Sequence, residues 1–317
     1  MENVDLYNSL LNVTSCINLP MKLFTLYIVI TKTPRHLRHD SFFILDVMCW
    51  NCLGNVFLAI AHPLPVYATQ CFEVEGLLGQ LSDRKNVTFT LYLAIAICAL
   101  HCDVGFVLAF FYRYFSFVHP KLAARIKPAW AFWLCAFVHV VSNIALLVLV
   151  FFANDSYYND PDTEVDVQNS HLMFCFASPG WDRLFLASSF FFVFVMMITL
   201  AGLLFREISR SEGIVHADTL KIQRRLLWNL IILTSIVLLM GIASAAIVWL
   251  VVSLPYFSHA NTIFMVCIIV GANHGTIYAI ATLILFKQYR QAVSKMLGRV
   301  ISRFSGKNVI SVKVTSA

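Results

Sequence analysis

Charged residues are scarce in this sequence. Asp, Glu, Lys and Arg supply 13% of its 317 residues, apolar residues supply 59%, and the mean hydropathy is +0.76. A soluble domain carries about 25% charged residues. Here the few charges lie between long apolar runs, which is the pattern of a polytopic membrane protein. The shortage of charge therefore excludes a soluble globular domain.

Linkers and repeats are also absent, since no Pro-, Gly- or Ser-rich stretch separates the apolar runs and no internal repeat is visible. In lipid each run is expected to be helical, because a helix satisfies every backbone polar group within its own segment. The predicted spans cover residues 9–31, 41–62, 87–112, 129–152, 184–205, 226–253 and 262–286. We therefore predict an all-α fold, with one seven-helix transmembrane domain over residues 1–286 and a tail over residues 287–317.

Catalytic signatures are missing as well. The chain has neither the His-Glu-x-x-His helix of zinc proteases nor the Gly-x-Ser-x-Gly turn of serine hydrolases. Asp46 and Asp103 fall at different depths of their spans, so they do not form a pair of facing carboxylates. We therefore predict no catalytic residue, no metal ligand and no cofactor, and a protein that is not an enzyme.

Positive charge is nearly missing from one side of the predicted membrane. Only Arg84, Lys85 and Arg183 lie there, whereas nineteen Lys and Arg residues lie in the other connections and in the tail. The side rich in Lys and Arg is cytoplasmic. This asymmetry predicts an N-terminus outside and a C-terminus inside. Anionic lipid of the inner leaflet supplies the counter-charge for the net charge of +6, and no nucleic acid is needed.

The tail predicts one further helix. Over residues 287–304 apolar residues recur at helical spacing, with basic residues elsewhere around the helix. A basic amphipathic helix that directly follows a span lies along the membrane surface.

Cysteines are few outside the predicted spans. Of nine, only Cys71 and Cys175 fall in connections on the outer, oxidising side. We therefore predict a disulfide between them, which would join the second and fourth connections. Asn86 and Asn154 each begin an Asn-x-Ser/Thr sequon on the same side and are the predicted glycosylation positions.

Ionisable residues within the spans are rare and are candidates for function. Asp103 of span three and His274 of span seven lie at matching depths, so we expect a polar core in which His274 or Asn273 is the partner of Asp103. The alternative is a satisfied aspartate that only holds helices together. Lys22 of span one is within reach of Asp46 of span two, with snorkelling of Lys22 toward the water as the alternative.

Four stretches of the chain carry a family resemblance. They are Leu19-Pro20 with Tyr27-Ile28-Val29-Ile30-Thr31-Lys32-Thr33-Pro34, His62-Pro63-Leu64-Pro65 with Gly76-Leu77-Leu78-Gly79, Thr219-Leu220-Lys221-Ile222-Gln223-Arg224, and His274-Gly275-Thr276 with Tyr289-Arg290. In order and spacing they resemble nematode serpentine chemoreceptors of the Str superfamily. Class H is the most similar branch and class I is a near relative.

The resemblance implies a seven-transmembrane G-protein-coupled receptor of sensory neurons. Such a receptor binds a small-molecule or pheromone-like ligand in the outer half of the bundle and signals to a heterotrimeric G protein. It also implies a multi-pass protein of the plasma membrane, located in sensory cilia, and leaves homo- or hetero-oligomers open. The sequence departs from the rhodopsin-like pattern, because Tyr112-Arg113-Tyr114 replaces Asp-Arg-Tyr and span seven lacks Asn-Pro-x-x-Tyr.

Basic residues at the inner ends of the spans form the predicted G-protein-facing surface. They are Arg113, Arg210, Lys221, Arg224 and Arg225. They lie at the ends of spans three, five and six, which have to separate on activation. The alternative is that these charges only set the topology.

A secondary transporter of a small solute is the alternative function. Transporters are built from repeated halves with broken helices at matching positions. Spans two to seven contain no interior proline, and seven spans do not divide into two equal halves. The sequence therefore favours a receptor.

Overall fold

The computed structural model describes residues 2–34, 38–66, 71–77, 85–125, 128–158, 173–175, 181–211, 217–253 and 259–304. The helices are α1 (Glu2–Lys32), α2 (Arg38–Ala61), α3 (Lys85–Val118), α4 (Pro120–Arg125), α5 (Pro128–Tyr158), α6 (Trp181–Arg210), α7 (Ala217–Val237), α8 (Ala243–Ser253), α9 (Ala260–Leu285) and α10 (Lys287–Phe304). A π-helical turn, Leu238–Ile242, joins α7 to α8. The predicted helical fold is confirmed.

Within the described residues, seven helical segments are long and apolar enough to cross a bilayer. Spans one to seven are Val4–Lys32, Ser41–Ala61, Thr90–Val118, Trp130–Val148, Phe191–Arg210, Leu220–Val248 and Ala260–Leu285. Span three is the most enclosed by protein, with 56% of its most apolar window buried, and span four the least, with 11%. Span three is therefore the central helix, and span four packs at the periphery.

Span one is one continuous helix, although its sequence contains the polar residues Asn12, Asn18 and Lys22 and the proline Pro20. Its polar residues are accommodated by neighbours, since Asn18 and Lys22 are both buried. Asn18 Nδ2 donates to the carbonyl oxygen of Ala272 in span seven at 3.4 Å, and Lys22 bonds to span two. Buried polar groups are tolerated in a helix when a partner is available.

A small antiparallel sheet lies between the ends of the spans, and the sequence did not predict it. Its strands are β1 (Pro63–Val66), β2 (Cys71–Val74) and β3 (Met173–Cys175), in the order β1-β2-β3. β1 is an edge strand, so Pro63 and Pro65, which lack an N–H, are accommodated on its open side. Glu75 N–H donates to the carbonyl oxygen of His62 at 3.4 Å, so the next pair, Pro63 with Val74, and then Pro65 with Phe72, take the non-hydrogen-bonded positions of the ladder.

Hydrogen-bonded and non-hydrogen-bonded positions alternate along an antiparallel strand, and this alternation also fixes how β2 pairs with β3. Because β2 bonds to β1 through Cys71 and Glu73, it bonds to β3 through Phe72, opposite Phe174. Cys71 and Cys175 are therefore directly opposite in a non-hydrogen-bonded position. In such a pair the Cα atoms lie about 4.5 Å apart.

The other end of the bundle carries Arg113 and the tail helix, and is called the Arg113 end below. α10 covers the residues that the sequence assigned to the tail helix. Tyr289 of α10 is completely buried, and its hydroxyl lies 2.9 Å from both Thr33 Oγ1 and Ser41 Oγ. Leu297 and Ile301 of the same helix remain exposed. One face of α10 thus packs on spans one and two, while apolar residues elsewhere on it stay available to lipid.

Candidate functional site

A chain of polar side chains connects spans two, three and four in the interior of the bundle. His139 of span four lies between Asp46 of span two and His101 of span three. His139 Nε2 is 3.0 Å from Asp46 Oδ2, and His139 Nδ1 is 2.7 Å from His101 Nδ1. His101 Nε2 is 3.0 Å from Asn143 Oδ1. We call Asp46, His101, His139 and Asn143 the imidazole chain.

The surroundings of the imidazole chain fix its geometry. The indole of Trp50 packs against both imidazoles, with ring centroids 4.2 Å from His101 and 5.7 Å from His139, and its Nε1–H donates to Asp46 Oδ1 at 3.2 Å. Gly105 of span three provides the space for Asp46. A Cβ at this position would lie 2.9 Å from Asp46 Oδ2 and 2.7 Å from Val47 Cγ2, so only glycine allows the two helices this approach.

Cys135 lies one helical turn before His139 in span four and belongs to the same group. Its sulfur, a carboxylate oxygen of Asp46 and a ring nitrogen of His139 all lie within 4.8 Å of one another. Sequence reasoning named Asp46 and missed Cys135 and His139. Their spacing of four residues, which puts both on one helix face, was the available signal.

A second polar group joins spans one, two and seven around Asn51. Lys22 Nζ donates to Asn51 Oδ1 at 2.5 Å, and Asn51 Nδ2 donates to His274 Nε2 at 2.7 Å. The other ring nitrogen of His274 donates to the carbonyl oxygen of Gly271. The protonation of His274 follows from these partners, because Nε2 accepts and Nδ1 therefore carries the hydrogen. We call Lys22, Asn51 and His274 the Asn51 cluster.

Two sequence-based pairings are wrong. Lys22 does not pair with Asp46, because it bonds to Asn51 while Asp46 faces His139 and Trp50. His274 does not pair with Asp103, because its two nitrogens are occupied by Asn51 and Gly271. Matching depth did not bring these side chains together, because each helix turns them toward a different neighbour.

Asn273 and Asp103 occupy different surroundings. Asn273 Nδ2 donates to the carbonyl oxygen of Ile269 at 2.8 Å, and its Oδ1 accepts from Asn18 Nδ2 at 3.2 Å. Asp103 is buried, with 5% of its surface exposed, and the described residues supply no hydrogen bond to its carboxyl group. Asp103 is therefore separate from both polar groups.

Arg113 lines a small cavity between spans two, three, six and seven. The cavity has a volume of about 20 Å³ and is otherwise lined by Phe43, Ile44, Ala109, Leu226, Leu230, Leu233 and Phe286. A volume of this size holds about one water molecule. Half-buried Arg113 thus lies against closely packed apolar residues of the neighbouring helices in this arrangement. The remaining predicted partner-facing residues, Arg210, Lys221, Arg224 and Arg225, are exposed.

The residues predicted to form a disulfide or to carry glycans lie at the end of the bundle opposite Arg113. Cys71 and Cys175 are opposite one another in the sheet, as described above. Asn86 lies in the first turn of α3 and Asn154 in the last turns of α5. The disulfide and the two glycosylation sites stay predictions.

Hydrogen bonds connect the start of span one to the residues that flank the β1–β2 pair. Asn8 Nδ2 donates to Glu75 Oε2 at 2.7 Å, and Asn8 Oδ1 lies 3.2 Å from His62 Nδ1. His62 has a positive φ of 43° directly after α2, a conformation that is uncommon outside glycine. Burial lowers the pKa of His62, and the negative charge of Glu75 partly opposes that shift.

Seven helices able to span a membrane, counted over the described residues, with polar groups between them, define the class: a polytopic membrane protein. The family model described as "Serpentine type 7TM GPCR chemoreceptor Srh" matches residues 2–299, and the chain belongs to this family. No curated protein matches the chain. The family is one of receptors and not of enzymes, so the chain is a multi-pass chemoreceptor of the G-protein-coupled type.

Proposed function

We propose that this receptor binds a small-molecule or pheromone-like ligand in the half of the bundle opposite Arg113 and activates a heterotrimeric G protein at the Arg113 end. The observation that carries the proposal is the position of Arg113, a charged side chain in the wall of a small cavity that is otherwise lined by apolar residues of the neighbouring helices. Charged groups within a membrane protein are costly and tend to mark function.

The proposed mechanism is an equilibrium between two arrangements of the helices. In one, Leu226, Leu230 and Leu233 of span six pack beside Arg113. In the other, span six moves away and opens a surface for the G protein, to which the exposed basic residues at the ends of spans five and six contribute. A ligand shifts this equilibrium only as far as it binds the two arrangements with different affinity.

The π-helical turn of span six supports this mechanism. Leu238–Ile242 interrupts the regular hydrogen bonding of span six and begins about one and a half turns after Leu233, which lines the cavity. Such turns are sites where helices bend, and they recur at functional positions. Span six has no interior proline, so this turn supplies the bend.

The location in sensory cilia and the predicted orientation, with the Arg113 end in the cytoplasm, belong to the same proposal. Anionic lipid on that side is the expected neighbour of the basic α10. Homo- or hetero-oligomers are compatible with it.

A ligand screen with a variant series tests the proposal. Cells that express the receptor are exposed to a chemical library, with intracellular calcium or cyclic nucleotide as the readout. Arg113→Ala should abolish the response at unchanged surface expression, and Lys32→Ala, which removes an exposed basic residue at the end of span one, should not. An unchanged response of Arg113→Ala refutes the role of Arg113. Ligand uptake into vesicles without any G-protein response would instead identify a transporter.

A further inference from the structure

We propose that Asp46, Cys135 and His139 bind a Zn²⁺ ion that fastens span four to span two. The three side chains supply one oxygen, one sulfur and one nitrogen atom, all within 4.8 Å of one another. Zn²⁺ binds these three atom types at about 2.0–2.3 Å. Nothing in the proposed signalling role uses these residues, so the inference is independent of it.

The hydrogen bonds of the imidazole chain leave a place for a cation. With Asn143 Oδ1 facing it, His101 Nε2 carries the proton that joins the two side chains. Neutral His101 then has a bare Nδ1, which accepts the Nδ1–H of His139. Neutral His139 therefore has no hydrogen on Nε2, and this unprotonated nitrogen lies 3.0 Å from Asp46 Oδ2.

A bare nitrogen and a carboxylate oxygen at this distance repel each other unless a positive charge lies between them. A proton or a metal ion can fill the position. The thiol of Cys135 beside the same two atoms favours the metal, since a proton needs two partners and a metal ion takes three or more. On binding, the thiol loses its proton to solvent and the sulfur bonds to the ion as a thiolate.

The charges of the three ligands favour a divalent cation. The carboxylate and the thiolate carry two negative charges, and His139 is neutral, so a divalent cation gives a complex with no net charge. A neutral complex is the least costly one in the membrane interior. Sulfur and imidazole ligands disfavour Mg²⁺ and Ca²⁺, which prefer oxygen, and the carboxylate disfavours Cu⁺. The fourth tetrahedral position of Zn²⁺ is left for a water molecule or a ligand atom.

The hydrogen-bond partners of the proposed ligands are arranged as in known metal sites. A metal-binding histidine usually donates its second ring N–H to a fixed acceptor, which orients the ring. His101 Nδ1 is that acceptor for His139, and Asn143 fixes His101 in turn. The Trp50 N–H holds the second oxygen of Asp46. Span four is the span least enclosed by protein, so an ion shared with span two adds a tie that packing alone does not provide.

The test is the metal content and stability of the full-length receptor in detergent. The protein is expressed with a histidine-free tag in medium supplemented with ZnCl₂ and washed with a weak chelator. We expect one zinc ion per receptor in the wild type. We expect at least a tenfold loss of zinc affinity in Cys135→Ser, His139→Ala and Asp46→Asn. Cys267→Ala, which removes a buried cysteine of span seven outside the cluster, should retain the ion.

Two further measurements apply when a variant folds poorly. Loading the wild type with Co²⁺ should give the thiolate charge-transfer absorption and the visible bands of a tetrahedral ion, both absent in Cys135→Ser. A strong chelator should lower the apparent melting temperature of the wild type and leave that of Cys135→Ser unchanged. A wild type that holds no zinc, or zinc that persists in Cys135→Ser, overturns the proposal.

Discussion

Lys22 donates a hydrogen bond to Asn51, with 2.5 Å between Nζ and Oδ1, in the interior of the bundle. Both side chains are buried, with 1% and 8% of their surfaces exposed. Asn51 also donates to His274, so one amide group joins spans one, two and seven. A single side chain can connect three helices because its oxygen accepts while its nitrogen donates.

The space for this amide is provided by Gly275, which leads to a first prediction. A Cβ at Gly275 would lie 1.6 Å from Asn51 Oδ1, whereas a Cβ at Gly271, one turn earlier in the same span, would meet nothing within 4 Å. Gly275→Ala should therefore displace Asn51 and destabilise the receptor by about 1–3 kcal/mol. Gly271→Ala should be neutral or gain up to about 1 kcal/mol from helix propensity.

Apparent melting temperatures in detergent, measured at matched purity, distinguish these two substitutions. A Gly275→Ala variant as stable as Gly271→Ala would contradict the close approach of Asn51 to span seven.

The second prediction is the disulfide between Cys71 and Cys175. Their backbones are opposite in the non-hydrogen-bonded register of β2 and β3, where the separation of about 4.5 Å falls within the range that a disulfide spans. A cross-link closing a loop of about 100 residues stabilises a protein by up to about 4.7 kcal/mol. Peptide mapping without reductant should recover the two cysteines in one linked peptide.

Cys16→Ser is the matched control for the disulfide, because Cys16 is a free, exposed cysteine of span one. It should leave the linked peptide and the melting temperature unchanged, whereas Cys71→Ser with Cys175→Ser should lower the melting temperature. Alkylation of both thiols in folded, surface-expressed protein would show that no bond forms.

The third prediction concerns Asp103, whose carboxyl group is buried without a hydrogen bond from the described residues. An ionised aspartate in a membrane interior costs about 3 kcal/mol, so a change of partner or protonation there can shift the balance between the resting and active arrangements. Asp103→Asn keeps the shape and removes the ionisable group. We expect altered basal activity and ligand potency at normal surface expression.

Cys102→Ala changes the neighbouring buried residue and serves as the control for that experiment. If Asp103→Asn leaves basal activity and potency at the wild-type level, Asp103 only holds helices together.

The fourth prediction is a pH dependence of stability that originates at His62. Burial lowers the pKa of His62 in the folded receptor below the value of about 6.5 expected when unfolded. Between these two values the unfolded chain binds more protons, so this contribution to stability is complete above pH of about 6.5 and is lost as the pH falls through the window. Asn8 and Glu75 are the described polar groups that face His62.

His62→Gln should therefore flatten the decrease in apparent melting temperature between pH of about 7 and about 5. Glu75→Gln should steepen it, because the charge of Glu75 opposes the lowering of the pKa. Identical pH profiles for the wild type and His62→Gln would assign the effect to other groups.

The sequence predicted the positions of the helices more reliably than the side-chain contacts between them. The tail helix covers residues 287–304 as the periodicity predicted, because both its apolar and its basic residues follow the helical repeat. The sheet was missed, since strands of three or four residues with two prolines give no alternating pattern. The partner of Lys22 was also missed, because Asn51 lies 29 residues away on another helix.

By itself, the sequence determined the seven helices that, in the part of the chain described by the structure, are long and apolar enough to cross a membrane, because lipid favours long apolar helices and the apolar runs are visible without any tertiary information. It also determined the position of each polar residue along its helix, since the rise per residue is fixed. The tertiary structure alone decided which of these residues meet. Asp46 faces His139 and Lys22 faces Asn51 because the rotation of each helix and the choice of its neighbours are set by packing, at positions such as Gly105 and Gly275 where two backbones approach.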